Sequence, residues 1–242
     1  MKKFKVSYSY PLEHPIKVVI ERFGRQGIIG WLMQKFGTKV DEGDLVISER
    51  IIELPTLHQW LGRVFPKPEG NLLEIGHAAS SIALEFASLG FNMTAIDLRE
   101  YPFKHQNLLN IKGDFLKHEF NKKFDGIFSL STIEHFGFSK RYGGEDESDN
   151  NLDEQAFEKI SNLLELDGRA VISVPYAKTK VLGIWFRVYT RDDIESKLSK
   201  YFLINESRFY RRDNNEWSQT HDKNNDPASP HDGVALFLLK GK

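Results

Sequence analysis

The hydrophobic positions from residue 71 onward alternate between short apolar runs and longer amphipathic stretches. The short runs predict seven strands, at residues 71–76, 92–97, 109–112, 125–130, 170–174, 203–210 and 234–240. The amphipathic stretches predict three helices, at residues 80–89, 151–166 and 190–199. Strands and helices in alternation are typical of a mainly parallel sheet that is covered by helices on both faces.

The first 70 residues follow a different pattern, with scattered Gly and Pro and two helical stretches at residues 15–36 and 51–64. Lys and Arg outnumber the acids over the first 40 residues. This pattern fits a lid or an amphipathic helix on an anionic membrane surface, and it equally fits helices that pack over one end of a core. We therefore expect a helical extension at residues 1–70 and a single α/β domain at residues 71–242.

Composition excludes several classes of protein. The 242 residues include 33 Lys and Arg against 34 Asp and Glu, so the chain lacks the overall positive charge that favours a nucleic-acid partner. The chain has no Cys, which excludes disulfides and thiolate metal sites. No apolar run approaches the roughly 18 residues of a membrane span, and no signal-peptide core follows Met1. We expect a cytoplasmic protein that binds a small molecule. The sequence does not determine its oligomeric state.

Polar residues follow the ends of the first three predicted strands. Glu74 and Gly76 close the first strand, Asp97 ends the second 23 residues after Glu74, and Gly113 and Asp114 follow the third. Because open α/β sheets bind ligands beyond the carboxyl ends of their strands, this order predicts a nucleoside site. Taken singly, Asp97 also fits a turn or a helix cap, and Gly113-Asp114 also fits a β-turn.

The first strand-to-helix junction, LLEIGHAAS, lacks the G-x-G-x-x-G pattern of nicotinamide-binding proteins. Gly76 is present, but Ala78 and Ser80 occupy positions where glycine is usual. Glu74 would also repel a pyrophosphate and would favour a cationic ligand, such as an amino acid that carries a sulfonium. The junction therefore argues against a nicotinamide-dependent oxidoreductase.

The ordered set Glu74-x-Gly76, Asp97, Asp114 and residues 129–135 resembles the class I S-adenosylmethionine-dependent methyltransferases over residues 71–240. The strings IDLREYPFKHQNLLNIKGDF, FDGIFSLSTIEHFGFSKRYG and VPYAKTKVLGIWFRVYTRDDIESKL look like small bacterial methyltransferases found with capsule and surface-glycan biosynthesis. The resemblance implies a Rossmann-like α/β fold with a seven-stranded, mainly parallel sheet whose last strand is antiparallel. It also implies O-methylation of a sugar, sugar nucleotide, or phosphate or phosphoramidate group, with S-adenosylhomocysteine as the by-product.

The same resemblance implies a set of cofactor-binding residues, namely Glu74, Gly76, His77, Ser80, Asp97, Leu98, Asp114, Phe115, Ser129 and Leu130. Within this set, Asp97 would bind the ribose and Asp114 with Phe115 would bind the adenine. The sequence departs from the family at His77 and Ala78, where a Cβ at position 78 is expected to crowd the cofactor. This departure keeps open a non-catalytic protein that binds the nucleoside as a scaffold.

His135 is the candidate catalytic base, because it follows the fourth strand and imidazole titrates near neutral pH. Glu134 is the candidate to orient it. In the alternative, His135 only packs beside the nucleotide. Some related enzymes bind a metal through E-x-x-E-H at this place, but Ser131 stands at the first position, and only a partial set with the distant His221 remains. We expect no metal.

Acceptor-binding residues are expected in the loops after strands four, five and six, which open on the cofactor face. The candidates are Arg141, Tyr142, Tyr176, Arg187, Tyr189, Trp217 and His221. Arginine grips oxyanions and aromatic rings stack on sugar faces, which suits a glycan or phosphate-bearing acceptor. Tyr189 fits a core position equally well, and a small-molecule N- or O-methyltransferase unrelated to glycans is the alternative function.

Overall fold

The computed structural model describes residues 48–138, 151–183, 186–229 and 231–242. These residues contain a mostly parallel sheet. The strands are β1 (Asn71–Ile75), β2 (Asn92–Asp97), β3 (Leu108–Lys112), β4 (Phe124–Leu130), β5 (Leu164–Pro175), β6 (Val181–Leu182), β7 (Arg187–Val188), β8 (Phe202–Asp213), β9 (Glu216–Gln219) and β10 (Gly233–Gly241). Eight of them form one sheet in the order β3-β2-β1-β4-β5-β10-β8-β9, and β6 pairs with β7 separately.

Helices cover both faces of this sheet. They are α1 (Arg50–Val64), α2 (Ile82–Leu89), α3 (Leu152–Leu163) and α4 (Arg191–Tyr201). On one face, Trp60 of α1 and Phe86 of α2 pack in an apolar cluster with Phe128 of β4. On the other face, Phe157 of α3 and Ile194 of α4 pack with residues of the same strands. The expected α/β layering is confirmed.

The strand directions confirm the expected final antiparallel strand and correct the expected number. Strands β1 to β5 pair in parallel, and β10 lies antiparallel between β5 and β8. The sheet has eight strands rather than seven, because β9 forms a hairpin with β8 inside the polar stretch 212–232 that we expected to be a loop. Asn214 and Asn215 form the two-residue turn with φ of 48° and 64°, a conformation that asparagine tolerates and that matches hairpin twist.

The end of α3 was predicted too late in the chain. We expected a helix over 151–166, whereas α3 ends at Leu163 and β5, which contains Gly168, begins at Leu164. A Cβ on Gly168 would lie 3.0 Å from the backbone oxygen of Phe124 on the neighbouring strand. The glycine therefore permits a close approach of two strands where their register shifts.

Helix α1 belongs to the same compact unit as the sheet, which runs from Ser48 to Lys242. Leu57 and Trp60 of this helix are fully buried. The expected extension at residues 1–70 stays a prediction, since its first 47 residues lie outside the described part. Among the described residues, no helix has the length and apolar character needed to cross a membrane.

Candidate functional site

The carboxyl ends of β1, β2, β3 and β4 lie along one edge of the sheet, because these four strands are parallel neighbours. This edge brings together Gly76, Asp97, Asp114 and the segment that begins at Ser131, which the sequence analysis had singled out. The edge is the place where open α/β sheets bind ligands.

Gly76 forms a left-handed turn directly after β1, with φ of 85°. A Cβ at this position would lie 2.3 Å from Thr132 Oγ1, in the segment after β4. The amide of Gly76 donates to the carbonyl of Ile96, with N and O 2.9 Å apart. Only glycine fits both the conformation and the space, so the first loop lies directly against the loop after β4.

Glu74 and Ser80 hold the start of α2. Glu74 is buried, and its Oε2 accepts a hydrogen bond from the amide of Ala83 at 2.8 Å. Burial raises the pKa of Glu74 to about 7 against the opposing hydrogen bonds of Ser80 and Ala83. Ser80 Oγ accepts from the amide of Ile82 at 3.1 Å. Both side chains shape the loop through α2, and their direct contact with a ligand stays a prediction.

His77 lies behind this loop with 1% of its surface exposed. Neither of its ring nitrogens makes a hydrogen bond, and the buried hydroxyl of Tyr101 also lacks a partner. The two rings meet edge to face with centroids 4.8 Å apart. Burial lowers the pKa of His77, which favours the neutral imidazole. Two buried side chains at this edge thus retain unused hydrogen-bonding atoms.

Asp97 is buried at the end of β2 and accepts four hydrogen bonds. Its Oδ1 accepts from the amide and Nε of Arg99 at 2.9 and 3.0 Å. Its Oδ2 accepts from the amide of Ala78 at 3.0 Å and from Arg99 Nη2 at 3.1 Å. Burial acts to raise the pKa of Asp97, but these bonds outweigh it and keep the pKa below its ordinary value. Asp97 is therefore ionised, and Arg99 occupies much of its acceptor capacity. Leu98 follows it and is half-buried.

The residues predicted to bind adenine take part in local structure. Asp114 Oδ1 accepts from the amide of Leu116 at 2.8 Å, which is the turn that we weighed as the alternative. The Phe115 ring is buried and packs against Phe120 and Phe136, with centroids 6.0 and 6.2 Å away. An adenine contact by either side chain stays a prediction.

Ser129 and Leu130 end β4 and are buried. The hydroxyl of Ser129 has no hydrogen-bond partner, and the carbonyl of Leu130 accepts from Thr132 Oγ1 at 3.0 Å. Ser131 then takes a left-handed conformation with φ of 44°, which is uncommon for a residue with a side chain. The backbone turns sharply at the point that the family resemblance assigns to the transferred methyl.

Helix α1 contributes a buried carboxylate that the sequence analysis missed. Glu53 is fully buried, and its Oε1 accepts from Ser131 Oγ at 2.6 Å and from the hydroxyl of Ser173. Its Oε2 lies 3.1 Å from Nη1 of Arg50. Glu53 therefore joins the segment after β4 and the last residues of β5 to α1. Its spacing with Leu57 and Trp60 puts a carboxylate on the apolar face of a helix, and this spacing was the available signal.

Glu134 and His135 follow in a 3-10 turn at Ile133–His135. Glu134 is 3% exposed, and its Oε1 lies 3.9 Å from Nε2 of His135. This distance exceeds a hydrogen bond, and the orientation of His135 by Glu134 stays a prediction. Burial and the charges of Glu53 and Glu49 raise the pKa of Glu134 well above its ordinary value. His135 keeps part of its surface exposed and its ring faces Phe186.

Three of the predicted acceptor-binding residues lie in the core. Tyr176 and Tyr189 are fully buried and Arg187 is 4% exposed. The Tyr189 hydroxyl donates to Asp153 Oδ2 at 3.0 Å, and the Arg187 guanidinium donates to the carbonyl of Phe136. These contacts are those of core anchors, the alternative that we considered for Tyr189.

Of the other four predicted acceptor-binding residues, the structure describes only Trp217 and His221, on or just after β9. Trp217 on β9 is half-buried, with the Arg212 guanidinium 5.6 Å from its ring centroid, and His221 is exposed just after the strand. Arg141 and Tyr142 lie outside the described residues. Among residues 48–138, 151–183, 186–229 and 231–242, no group of three or more His, Asp or Glu side chains is arranged to hold a metal.

Comparison with solved structures finds several methyltransferases with this fold. A Burkholderia thailandensis 1,6-didemethyltoxoflavin-N1-methyltransferase, solved with S-adenosylhomocysteine, aligns over 99% of this chain and 93% of its own, with 16% identity and a TM-score of 0.58. The Bradyrhizobium japonicum N-methyltransferase NodS, also solved with S-adenosylhomocysteine, aligns over 87% and 97%, with 15% identity and a TM-score of 0.54. The glycopeptide N-methyltransferase MtfA aligns over 89% and 99%, with 13% identity and a TM-score of 0.51.

No protein-family model matches the sequence, and a search of curated proteins finds no relative. The likeness is therefore one of fold, since identities of 13 to 16% do not carry residue roles. The chain has the fold of the S-adenosylmethionine-dependent methyltransferases.

Proposed function

We propose that this protein is an S-adenosylmethionine-dependent methyltransferase that acts on a small-molecule acceptor. The observation that supports this most is the pairing of the left-handed Gly76 turn with an ionised, buried Asp97 at the adjacent strand end. A carboxylate at this position suits the two hydroxyls of a ribose. Known structures with this fold contain S-adenosylhomocysteine at 15 to 16% identity, which agrees with the same cofactor here.

The described residues fit such a cofactor. The unpartnered polar atoms of His77, Tyr101 and Ser129 lie at the ends of, or just beyond, strands β1, β2 and β4. Buried polar groups normally have hydrogen-bond partners, so these atoms are suited to a polar ligand. Asp97 would take the ribose, and for that the Arg99 guanidinium has to give up acceptor positions on the carboxylate.

The cofactor supplies a methyl carbon that is already activated by a sulfonium. The protein's own part is to align an acceptor with that carbon, to exclude water and to accept the acceptor's proton. We propose His135 as the base that takes the proton, because it follows β4 and keeps partial access to solvent. The Gly76 turn against Thr132 would fix the distance between the cofactor loop and this base.

The acceptor inferred from the family resemblance is an oxygen of a sugar or phosphate group bound for a surface polymer. Among the described residues, the arginine and aromatic side chains predicted to bind such an acceptor differ in exposure. Trp217 and His221 reach the surface, whereas Arg187, Tyr176 and Tyr189 are buried. Three structures of this fold are N-methyltransferases, one of them for a glycopeptide, and a small-molecule N- or O-methyltransferase unrelated to glycans is the second candidate.

A methyl-transfer assay with an amine and an alcohol of otherwise equal structure tests this function. Purified protein is incubated with S-adenosylmethionine and with either benzylamine or benzyl alcohol, and S-adenosylhomocysteine is measured as the product. We expect turnover in wild type, and lower turnover in the nearly isosteric Asp97→Asn when S-adenosylmethionine is subsaturating. Cofactor binding without turnover on any acceptor would favour the non-catalytic scaffold, and absence of cofactor binding would contradict both.

A further inference from the structure

Buried carboxylates gather at the carboxyl ends of β4 and β5. Glu53 and Glu134 are 0% and 3% exposed, and Glu49 at the start of α1 is half-buried. Arg50 forms an ion pair with Glu53, with Nη1 and Oε2 3.1 Å apart. Arg50 and Arg212 act on Glu49 by their charge, and His135 lies 3.9 Å from Glu134. The charges of Glu53, Glu49 and Arg50 also act on the pKa of Glu134.

The two buried acids differ in the surroundings of their Oε2 atoms. Neither Oε2 makes a hydrogen bond, but that of Glu53 lies 3.1 Å from Nη1 of Arg50, and Glu53 Oε1 accepts from the hydroxyls of Ser131 and Ser173. Glu134 Oε2 has no hydrogen-bond partner. A buried carboxylate oxygen without a donor is costly, and an N–H group that carries positive charge would relieve this cost most effectively. The unpartnered oxygen of Glu134 thus identifies a place for a ligand.

We propose that Glu134, assisted by Glu49, holds the ammonium group of the methyl acceptor, so that the substrate is a primary or secondary amine. This inference rests on the proposed function and specifies its acceptor. An alcohol would bring one donor and no positive charge to the unpartnered oxygen of Glu134. An ammonium brings at least two N–H donors and one positive charge, which suit one carboxylate oxygen and a second acid beside it.

The neighbouring base can then prepare the nitrogen for reaction. A protonated amine has no free lone pair, so it must lose one proton before it can attack a methyl carbon. While Glu134 holds the ammonium group, His135, the proposed base, takes that proton and releases it to solvent through its partly exposed ring. The nitrogen loses one proton and gains one methyl group, so it is cationic before and after the transfer, and one proton is released in each turnover.

Carboxyl-carbon NMR of protein labelled with ¹³C at the glutamate side chains tests the binding step. Methylammonium chloride is the probe, and sodium chloride at equal ionic strength and methanol are the controls. The Glu134 signal is assigned from its loss in Glu134→Gln. We expect methylammonium to shift this signal toward the ionised position with a Kd on the order of 10 mM, while both controls leave it in place. An unchanged Glu134 signal, or an equal shift with sodium, would overturn the proposal.

The titration is repeated with and without saturating S-adenosylhomocysteine, whose own binding is measured by calorimetry. If S-adenosylhomocysteine fails to bind while methylammonium still shifts the Glu134 signal, the proposed function fails and the amine site stands.

The methyl-transfer assay compares benzylamine with benzyl alcohol. We expect transfer to benzylamine but not to benzyl alcohol, and the reverse preference would refute the amine acceptor. Glu134→Gln should lower amine transfer by at least about 10²-fold, while Glu158→Gln on the exposed face of α3 should match wild type.

Discussion

Replacement of Arg99 by alanine should strengthen binding of S-adenosylhomocysteine. In the structure, the Arg99 guanidinium donates to both oxygens of Asp97, at 3.0 and 3.1 Å. The backbone amides of Ala78 and Arg99 fill the other two positions. A carboxylate has about four acceptor positions, so the ribose hydroxyls and the guanidinium compete for the same two. Removal of the guanidinium frees both for the ribose.

The exposure of the pair sets the size of the effect. Arg99 keeps 41% of its side chain exposed, whereas Asp97 keeps 6%. Ion pairs with one exposed partner are screened by solvent and contribute up to about 1 kcal/mol, and the two-bonded geometry puts this pair near that limit. We therefore expect about a fivefold lower Kd in Arg99→Ala. Asp97→Asn keeps the shape, loses the charge, and should weaken binding by about 1–3 kcal/mol.

Isothermal titration of S-adenosylhomocysteine into wild type, Arg99→Ala, Arg99→Lys and Asp97→Asn measures both effects. Lysine keeps the charge and loses the forked geometry, so its Kd should lie between wild type and alanine. Weaker binding in Arg99→Ala would refute the competition and would mean that Arg99 contacts the nucleoside itself. Unchanged affinity in Asp97→Asn would remove Asp97 from the ribose site.

Three further predictions concern stability and turnover. The pKa of Glu74 is raised from 4.5 to about 7, so the folded state holds this proton more tightly than the unfolded chain. The free energy of unfolding should therefore fall by about 3 kcal/mol as the pH rises from about 4.5 to about 8. In urea denaturation, Glu74→Gln should make the free energy of unfolding less dependent on pH. An equal pH dependence in wild type and Glu74→Gln would contradict the raised pKa. Glu53→Ala removes the ion-pair partner of Arg50 and the carboxylate that accepts from the hydroxyls of Ser131 and Ser173, so it should lower the unfolding free energy by about 3–5 kcal/mol, against less than about 0.5 for the exposed Glu158→Ala. A small loss in Glu53→Ala would show that α1 is not joined to the loops in this way. His135→Ala should lower turnover by about 10² to 10⁴-fold with S-adenosylhomocysteine affinity near wild type, and wild-type turnover would exclude it as the base.

The sequence predicts most of the sheet because hydrophobic runs and their polar ends are local signals. The predicted strand 92–97 coincides with β2, and the runs at 71–76 and 125–130 differ from β1 and β4 by one residue. Because β1, β2 and β3 pair in parallel, their carboxyl ends lie side by side, which explains why Gly76, Asp97 and Asp114 meet at one edge. Pattern and spacing therefore predicted the mainly parallel α/β core, whereas the antiparallel final strand followed from the family resemblance.

The parts that the sequence did not reveal depend on contacts between residues far apart in the chain. Nothing near Glu53 indicates that its carboxylate meets Ser173, which lies 120 residues away. Gly168 has the appearance of a helix end, but it is required by the approach of a neighbouring strand. Burial of Tyr176 and Arg187 likewise depends on tertiary packing, so residue type alone assigned them to the acceptor.

The most direct test of the central claim is calorimetric titration of the purified chain with S-adenosylmethionine, with S-adenosylhomocysteine and with NAD as the control. We predict binding of the first two with Kd values of about 1–100 μM and no binding of NAD, because the first loop has a single glycine and lacks the G-x-G-x-x-G pattern that binds a pyrophosphate. Binding of NAD alone, or of none of the three, would contradict the assignment of this edge to S-adenosylmethionine.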